Sequence, residues 1–365
     1  MTRVAILIPS ITKGDALGND VTGMRRALQA CGHEAAGFAD WIISDPEFKH
    51  VSELKHFLRD DTDVVIYHHA VGWDAGIEIL TRIECKRVIK YHNVTPARFF
   101  DGISALYAGS CRTGREQLRI LARAGCDLYL ADSEFNMQEL ILEGVNGSAS
   151  SVVPPFHHID RLATLEPDQS VLNSYRDGKI NILTVGRIVP NKGHRLLIDA
   201  FAIYHRYCNR DSRLLIVGEQ DHRLSAYRDM LREQVTRLEL DEAVVFSGRV
   251  SDRALGTYYN VADVFMITSE HEGFCVPLVE AMAMQVPIVA YGSTAIPGTV
   301  GEAGLVWNDR DPELMAESID HIVSNRAIRQ GLGLKGLRRY QQLFANERIE
   351  ARFLNALDRV LTRPE

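Results

Sequence analysis

The sequence predicts an α/β protein built from two doubly wound domains. Three observations carry that expectation. Short apolar runs alternate with helix-period stretches along all 365 residues. The runs are apolar on both faces, which suits parallel strands covered by helices on either side. The alternation occurs as two series, separated by a proline-bearing stretch near the middle.

The first series reads as strands at RVAILIP (3–9), DVVIYHH (63–69), RVIKYHN (87–93), CDLYLAD (126–132) and SVVP (151–154). Helices are expected over 19–31 and 113–124. The second series gives KINILTVG (179–186), SRLLIVG (212–218), AVVFSG (243–248), ADVFMIT (262–268), VPIVAYG (286–292) and AGLVW (303–307). Its helices are expected over 194–207, 226–239 and 276–284. VPPFHHIDRLATLEPDQS has three prolines and no clear period, so it marks the seam. The expected division is a domain over 1–160, a linker over 161–178 and a domain over 179–346. A last helix over 347–365 has no strand after it and is expected to rejoin the first domain. Two such domains facing each other would make a cleft at their carboxyl strand ends, where ligands prefer to bind.

Bulk composition narrows the function. A net charge of −7 gives no global basic field for nucleic acid. The six cysteines, at 31, 85, 111, 126, 208 and 275, form no CxxC pair and no zinc-spaced cluster. Free thiols and the lack of an apolar run near ~20 residues predict a cytoplasmic protein. Residues 82–123 carry nine Lys/Arg against three acids, interleaved with Phe99, Phe100 and Leu106. That pattern suits a solvated helix face, and equally peripheral contact with the anionic inner face of a membrane or a lipid-linked acceptor.

Two stretches carry chemistry. In SEHEGFCVPLVEAM, Glu272 and Glu280 are separated by seven mostly apolar residues. Glu272 falls on the loop after a strand, and Glu280 about one turn into the next helix. Gly273 permits close backbone approach to a ligand. Pro277 suits the first helical turn, and the amides around Val276, Leu278 and Val279 face an anion at the dipole's positive end. Carboxylates either side of a phosphate site suit a nucleotide sugar, with Glu272 on sugar hydroxyls and Glu280 on ribose. The same spacing also suits a capping glutamate and a solvated helix charge. In KINILTVGRIVPNKGHRLLIDAF, Gly186, Arg187, Lys192 and Gly193 follow a strand and precede a helix. Two cations and two glycines there suit a diphosphate. No GxxxxGK[ST] and no GxGxxG after the first strand is present, which disfavours P-loop and nicotinamide readings. DTD at 61–63 precedes an apolar strand and reads as a turn, so no catalytic metal is expected.

The E-x7-E spacing, EGF at 272–274 and GR…NKG at 186–193 resemble the retaining GT-B glycosyltransferases of the large GT4 family. GDALGND (14–20) and YHNVTPARFF (91–100) are similar to a bacterial polysaccharide subgroup, often mannosyl- or glucosyltransferases. The resemblance implies a UDP- or GDP-linked sugar donor, a saccharide or lipid-linked saccharide acceptor, and no cofactor. It places Arg187 and Lys192 on the donor diphosphate, with Gly186 beside them. It places Glu272 on the sugar alongside the Gly273, Phe274 and Cys275 backbone, and Glu280 on the ribose. It puts His92 beside the reacting sugar and the Gly14–Gly18 loop near phosphate or acceptor. It implies front-face transfer, in which the leaving phosphate helps take the acceptor proton. One position departs: Gly298 stands where the family usually has glutamate, with Glu302 near. The rival expectations are a GT-B epimerase or phosphorylase, and a non-catalytic nucleotide-sugar sensor.

Overall fold

The structure is a computed structural model and describes residues 1–12 and 15–361. It contains two all-parallel sheets. The first is built from β1 (Arg3–Ile11), β2 (Glu34–Ile42), β3 (Lys49–His50), β4 (Val64–His69), β5 (Lys86–Tyr91), β6 (Leu128–Ala131) and β7 (Ser150–Val152). Their spatial order is β3-β2-β1-β4-β5-β6-β7. The second contains β8 (Ile180–Val185), β9 (Ser212–Val217), β10 (Val244–Gly248), β11 (Val264–Ile267), β12 (Ile288–Tyr291) and β13 (Gly304–Trp307). Its order is β10-β9-β8-β11-β12-β13. In each sheet the winding reverses once, between β1 and β4 and between β8 and β11. Those switch points are where adjacent loops diverge and leave room for a ligand.

Burial explains why these runs are strands. Every residue of β4, β9 and β11 is buried, as expected for strands covered on both faces. β2 and β3 are not foreseen from the sequence. EAAGFADWI is poor in β-branched residues, and its alanines and glycine blur the apolar signal. Gly37 in β2 is needed for packing, because a Cβ there would lie 2.6 Å from the Phe48 ring.

The first compact unit comprises residues 1–98, 106–157 and 344–365. The helix Asn346–Leu361 belongs to it through a stripe of Ile349, Phe353, Ala356, Leu357 and Val360. That i, i+4, i+7, i+8 pattern buries one face against β-sheet and helix residues of the same core. Phe353 meets Phe156 edge-on at 6.1 Å, and a Cβ on Gly23 would collide with the Phe156 ring at 2.3 Å.

The second unit comprises residues 99–105 and 158–343. The stretch 161–178, expected as a linker, contains the helices Ile159–Thr164 and Gln169–Tyr175, both packed on the helix Asp252–Val261. Asp168 caps the latter by accepting from the amides of Ser170 and Val171. Its one proline, Pro167, therefore precedes a capped helix rather than loosening the chain.

Phe353 is fully buried, so truncation leaves a cavity that rigid neighbours fill only in part. Phe353→Ala is expected to destabilise the first unit by about 3–5 kcal/mol. Urea unfolding checks this, and a loss under about 1 kcal/mol would show that the terminal helix contributes little to that core.

Candidate functional site

At the switch point of the second sheet, the loop after β8 is tied to the loop after β11. The Asn191 side-chain amide donates to the His271 carbonyl at 3.1 Å, and the Glu270 amide donates to the Asn191 carbonyl at 2.7 Å. The Thr268 hydroxyl donates to the Gly193 carbonyl at 3.0 Å. Gly193 has φ +66°, and a Cβ there would lie 2.0 Å from the Thr268 carbonyl oxygen. Only glycine permits this approach. Gly186, with φ +151°, turns the chain out of β8.

These constraints bring Lys192 onto Glu272. The ammonium donates to Glu272 Oε1 at 2.6 Å. Burial pulls the Lys192 ammonium down, but the Glu272 carboxylate outweighs it and holds the group above its usual range. Glu272 is 8% exposed. Its backbone is fixed by Thr294, whose hydroxyl accepts from the Glu272 amide at 2.8 Å. Arg187, two residues past β8, is exposed and has no side-chain partner among the described residues. A free guanidinium beside a lysine–glutamate pair is open to an anion.

The helix Val276–Ala283 begins at Cys275, a non-glycine residue with φ +79°. Burial, then the neighbouring Glu272 carboxylate, keeps its thiol protonated, far above the ordinary range. Phe274 is buried, and its carbonyl accepts from the Thr299 hydroxyl at 3.0 Å. The Leu278 amide already donates to the Cys275 carbonyl at 3.1 Å, so it is less available to an anion than the sequence suggests. Glu280 is 4% exposed and accepts from the Tyr259 hydroxyl at 2.6 Å. Burial pushes its carboxyl up to about 7, with Tyr259 opposing and Asp252 adding to the rise. It is no solvated helix charge. Gly298 is sterically open, since a Cβ there meets nothing within 4 Å. Its carbonyl accepts from Arg339 at 2.6 Å.

The first unit gathers a second cluster at its own switch point. His92 follows β5, and its Nδ1 lies 2.9 Å from Asp132 Oδ2. Its Nε2 lies 2.8 Å from His68 Nδ1. The Asp132 bond assigns a proton to Nδ1, and both ring nitrogens are engaged. Lys90, fully buried, pairs with Asp132 at 2.7 Å and donates to the Val153 carbonyl. Asp20 is fully buried and accepts from the Phe156 amide at 2.8 Å, while its Oδ2 has no hydrogen-bond partner among the described residues and lies 3.6 Å from His92 Nε2. Burial raises the Asp20 carboxyl and lowers the His68 ring. Burial alone would raise Asp132, but His92 and Lys90 outweigh it and keep that carboxylate low.

Asp20, His68 and His92 offer ligand atoms within 4.8 Å of one another, a spacing that can hold a metal ion. The cluster also holds a cation of its own, since Lys90 pairs with Asp132 at 2.7 Å. Lys90 lies on β5, two residues before His92, whereas Asp20, His68 and Asp132 are joined to His92 only by the fold. In the sequence, GDALGND ends on Asp20 and YHH at 67–69 holds His68.

Other expectations resolve simply. Gly14 lies outside the described residues. Asp63 of DTD accepts from the Arg3 amide at 2.8 Å and the Arg59 amide at 2.7 Å, the role of a turn residue. In the basic stretch, Lys90 and Phe100 are buried, so neither contributes to a surface patch, while Leu106 is 64% exposed. Arg112, Arg115 and Arg119 line a cavity of about 270 Å³ together with Pro96 and Glu116. Among the described residues no helix is long and apolar enough to cross a membrane.

The raised Glu280 carboxyl makes a stability prediction. Unfolded, it titrates near its ordinary 4.5; folded, near 7. The folded chain therefore holds the proton more tightly, and stability is lost as pH rises through that window. Glu280→Gln removes the loss. Without ligand it is expected to unfold harder than the parent by roughly 3 kcal/mol at pH 8.5, the gain shrinking toward pH 5. Denaturant titrations at the two pH values check this.

Comparison with known proteins follows the same geography. Residues 168–339, nearly all of the second unit, match the family model described as glycosyl transferases group 1. Mannosylfructose-phosphate synthase of Agrobacterium fabrum is 30% identical over 181 residues, which is 48% of this chain and 40% of that protein. The chain spans about half or less of the length of the curated relatives it matches. Two solved structures share the fold. Sucrose-phosphate synthase from Thermosynechococcus elongatus superposes with TM-score 0.77 at 19% identity, over 96% of this chain and 97% of that one. Anabaena HepE in complex with UDP-glucose gives 0.76 at 18%, over 98% and 100%. The two sheets thus have the arrangement of the GT-B fold, and residues 168–339 are similar to the glycosyl transferases group 1.

Proposed function

We propose that this chain is a retaining hexosyltransferase. It moves mannose or glucose from a UDP- or GDP-linked donor to a saccharide or lipid-linked saccharide in polysaccharide or glycoconjugate synthesis. The observation that carries the reading is the convergence at the β8–β11 switch point. A free Arg187, the Lys192–Glu272 pair and a buried Glu280 follow one another there along two tied loops and a helix start. The names of a curated relative, mannosylfructose-phosphate synthase, and of a structural neighbour holding UDP-glucose support the substrate class.

Under this reading Arg187 and Lys192 hold the donor diphosphate and offset the charge that grows on it as the glycosidic bond breaks. Lys192 is already desolvated and oriented by Glu272, so little reorganisation accompanies the step. Glu272 accepts from sugar hydroxyls, and Glu280 accepts from the ribose. By family resemblance His92 orients the reacting sugar, with Asp132 fixing which ring nitrogen carries the proton. The acceptor oxygen attacks on the face the diphosphate leaves, and a phosphate oxygen takes its proton. The positive charge this reaction needs is supplied by side chains, and no cofactor enters it. Arg112, Arg115 and Arg119 suit an anionic group on the acceptor.

A thermal-shift panel of UDP-, GDP-, ADP- and CDP-sugars tests the donor class. A ligand at ~100 times its dissociation constant stabilises by about 2.7 kcal/mol. A panel without any shift would count against the whole reading. Lys192→Ala is expected to lower turnover at least ~10²-fold, read as nucleoside diphosphate release with acceptor present. Unchanged turnover would remove Lys192 from the leaving-group role.

A further inference from the structure

Glu280 has one side-chain hydrogen bond among the described residues, from Tyr259. Tyr259 is 1% exposed, and its hydroxyl reaches two acceptors: Glu280 Oε2 at 2.6 Å and the Pro277 carbonyl at 3.3 Å. A phenol has one hydrogen, so it donates to one of them at a time. When Glu280 is a carboxylate, the phenol donates to it. When Glu280 is protonated, its own O–H donates to the phenol oxygen and the phenol hydrogen turns to Pro277. Both states are satisfied without moving a heavy atom. An apolar neighbour would satisfy neither, and a cation would favour only the charged one.

Among the described residues no cation pairs with this carboxyl. On the helix Asp252–Val261, Asp252 disfavours its charge, and Arg253 is turned to the carbonyls of Glu166 and Pro167. Asp252 itself lies 3.7 Å from both His158 and Arg161. The helix Ile159–Thr164 contributes Arg161 and Asp160, which accepts from Tyr340. The helix Ile296–Val300 has no charged residue. The helix Arg326–Arg339 bears Arg326, Arg329, Lys335, Arg338 and Arg339. Arg329 pairs with Asp263, and Arg339 bonds the carbonyls of Thr299 and Gly298. Cys275 precedes the Glu280 helix as a neutral thiol.

We propose that Tyr259 is a positioning residue that makes donor binding proton-linked: its hydroxyl turns from Pro277 to Glu280 as ribose displaces the carboxyl proton to solvent. This rests on the reading that Glu280 holds the ribose. A ribose diol donates two hydrogens and needs an acceptor, which only the carboxylate supplies in full. The proton that leaves is the one burial keeps on Glu280 in the empty site, where its carboxyl titrates at about 7.

The test uses UDP-glucose and GDP-mannose, whose diphosphates are esterified on both sides and do not themselves titrate in this window. Calorimetry runs from about pH 5.5 to 8.5 in buffers of differing ionisation heat. Affinity is expected to rise about tenfold per pH unit up to neutrality and then level, with close to one proton released per donor at the acid end. Tyr259→Phe removes the donor to the carboxylate, so its profile shifts to higher pH and recovers at the alkaline end. A structural defect would weaken binding equally at every pH. Glu280→Gln, which needs no Tyr259 substitution to fold, is expected to bind weakly and without pH dependence. A parent that binds with flat affinity, or a Tyr259→Phe profile that overlays the parent's, overturns the proposal and leaves the function reading intact. No binding of either donor at any pH would sink that reading and the proposal with it.

Discussion

The close approach of the Gly193 backbone to Thr268 is the constraint on which the donor side depends. A β-carbon would lie 2.0 Å from the Thr268 carbonyl, so the chain there must be glycine. Because it is, the loop after β8 can lie flat against the loop after β11, and the hydrogen bonds through Asn191, Glu270 and Thr268 lock it. Lys192 then has one place to go, onto Glu272. The pair is a consequence of backbone packing, which is why its geometry is fixed before any ligand arrives.

The two glutamates have the same side chain and different surroundings, and the surroundings set what each can do. Glu272 is paired with the Lys192 ammonium, which fixes where its carboxyl points. Glu280 is paired with a phenol, has no cation, and carries its proton near neutrality. A carboxyl oriented by a lysine suits hydroxyls of the sugar. A carboxyl that must give up a proton suits a recognition contact outside the reacting centre.

Much of this is legible in the sequence, for identifiable reasons. Fully buried strands such as VFMI and LLIV are unbroken apolar runs, and nothing else in a short loop-bounded segment looks like them. β2 is hidden because, of the buried positions in EAAGFADWI, Ala35, Gly37 and Ala39 are small and only Phe38 gives an apolar signal. The helices within 161–178 are hidden because proline is read as a break, whereas here it sits ahead of the Asp168 cap. Arg187 with Lys192, and Glu272 with Glu280, are legible because each pair's spacing is tied to a single strand–loop–helix unit. Tyr259 and the Asp20, His68 and Asp132 side chains around His92 are not, since each comes from a different element and only the fold brings them together. Lys90 shows the limit most clearly: it counts as a surface cation in the sequence and is buried against Asp132.

The central claim is that the two carboxylates grip opposite ends of one ligand. Calorimetric binding of a nucleoside diphosphate and of its sugar ester to Glu272→Gln and Glu280→Gln tests it directly. The account predicts that Glu280→Gln weakens both ligands by the same factor, whereas Glu272→Gln weakens the sugar ester and leaves the free diphosphate nearly unchanged. Equal losses for both ligands in Glu272→Gln, or a loss confined to the sugar ester in Glu280→Gln, would contradict it.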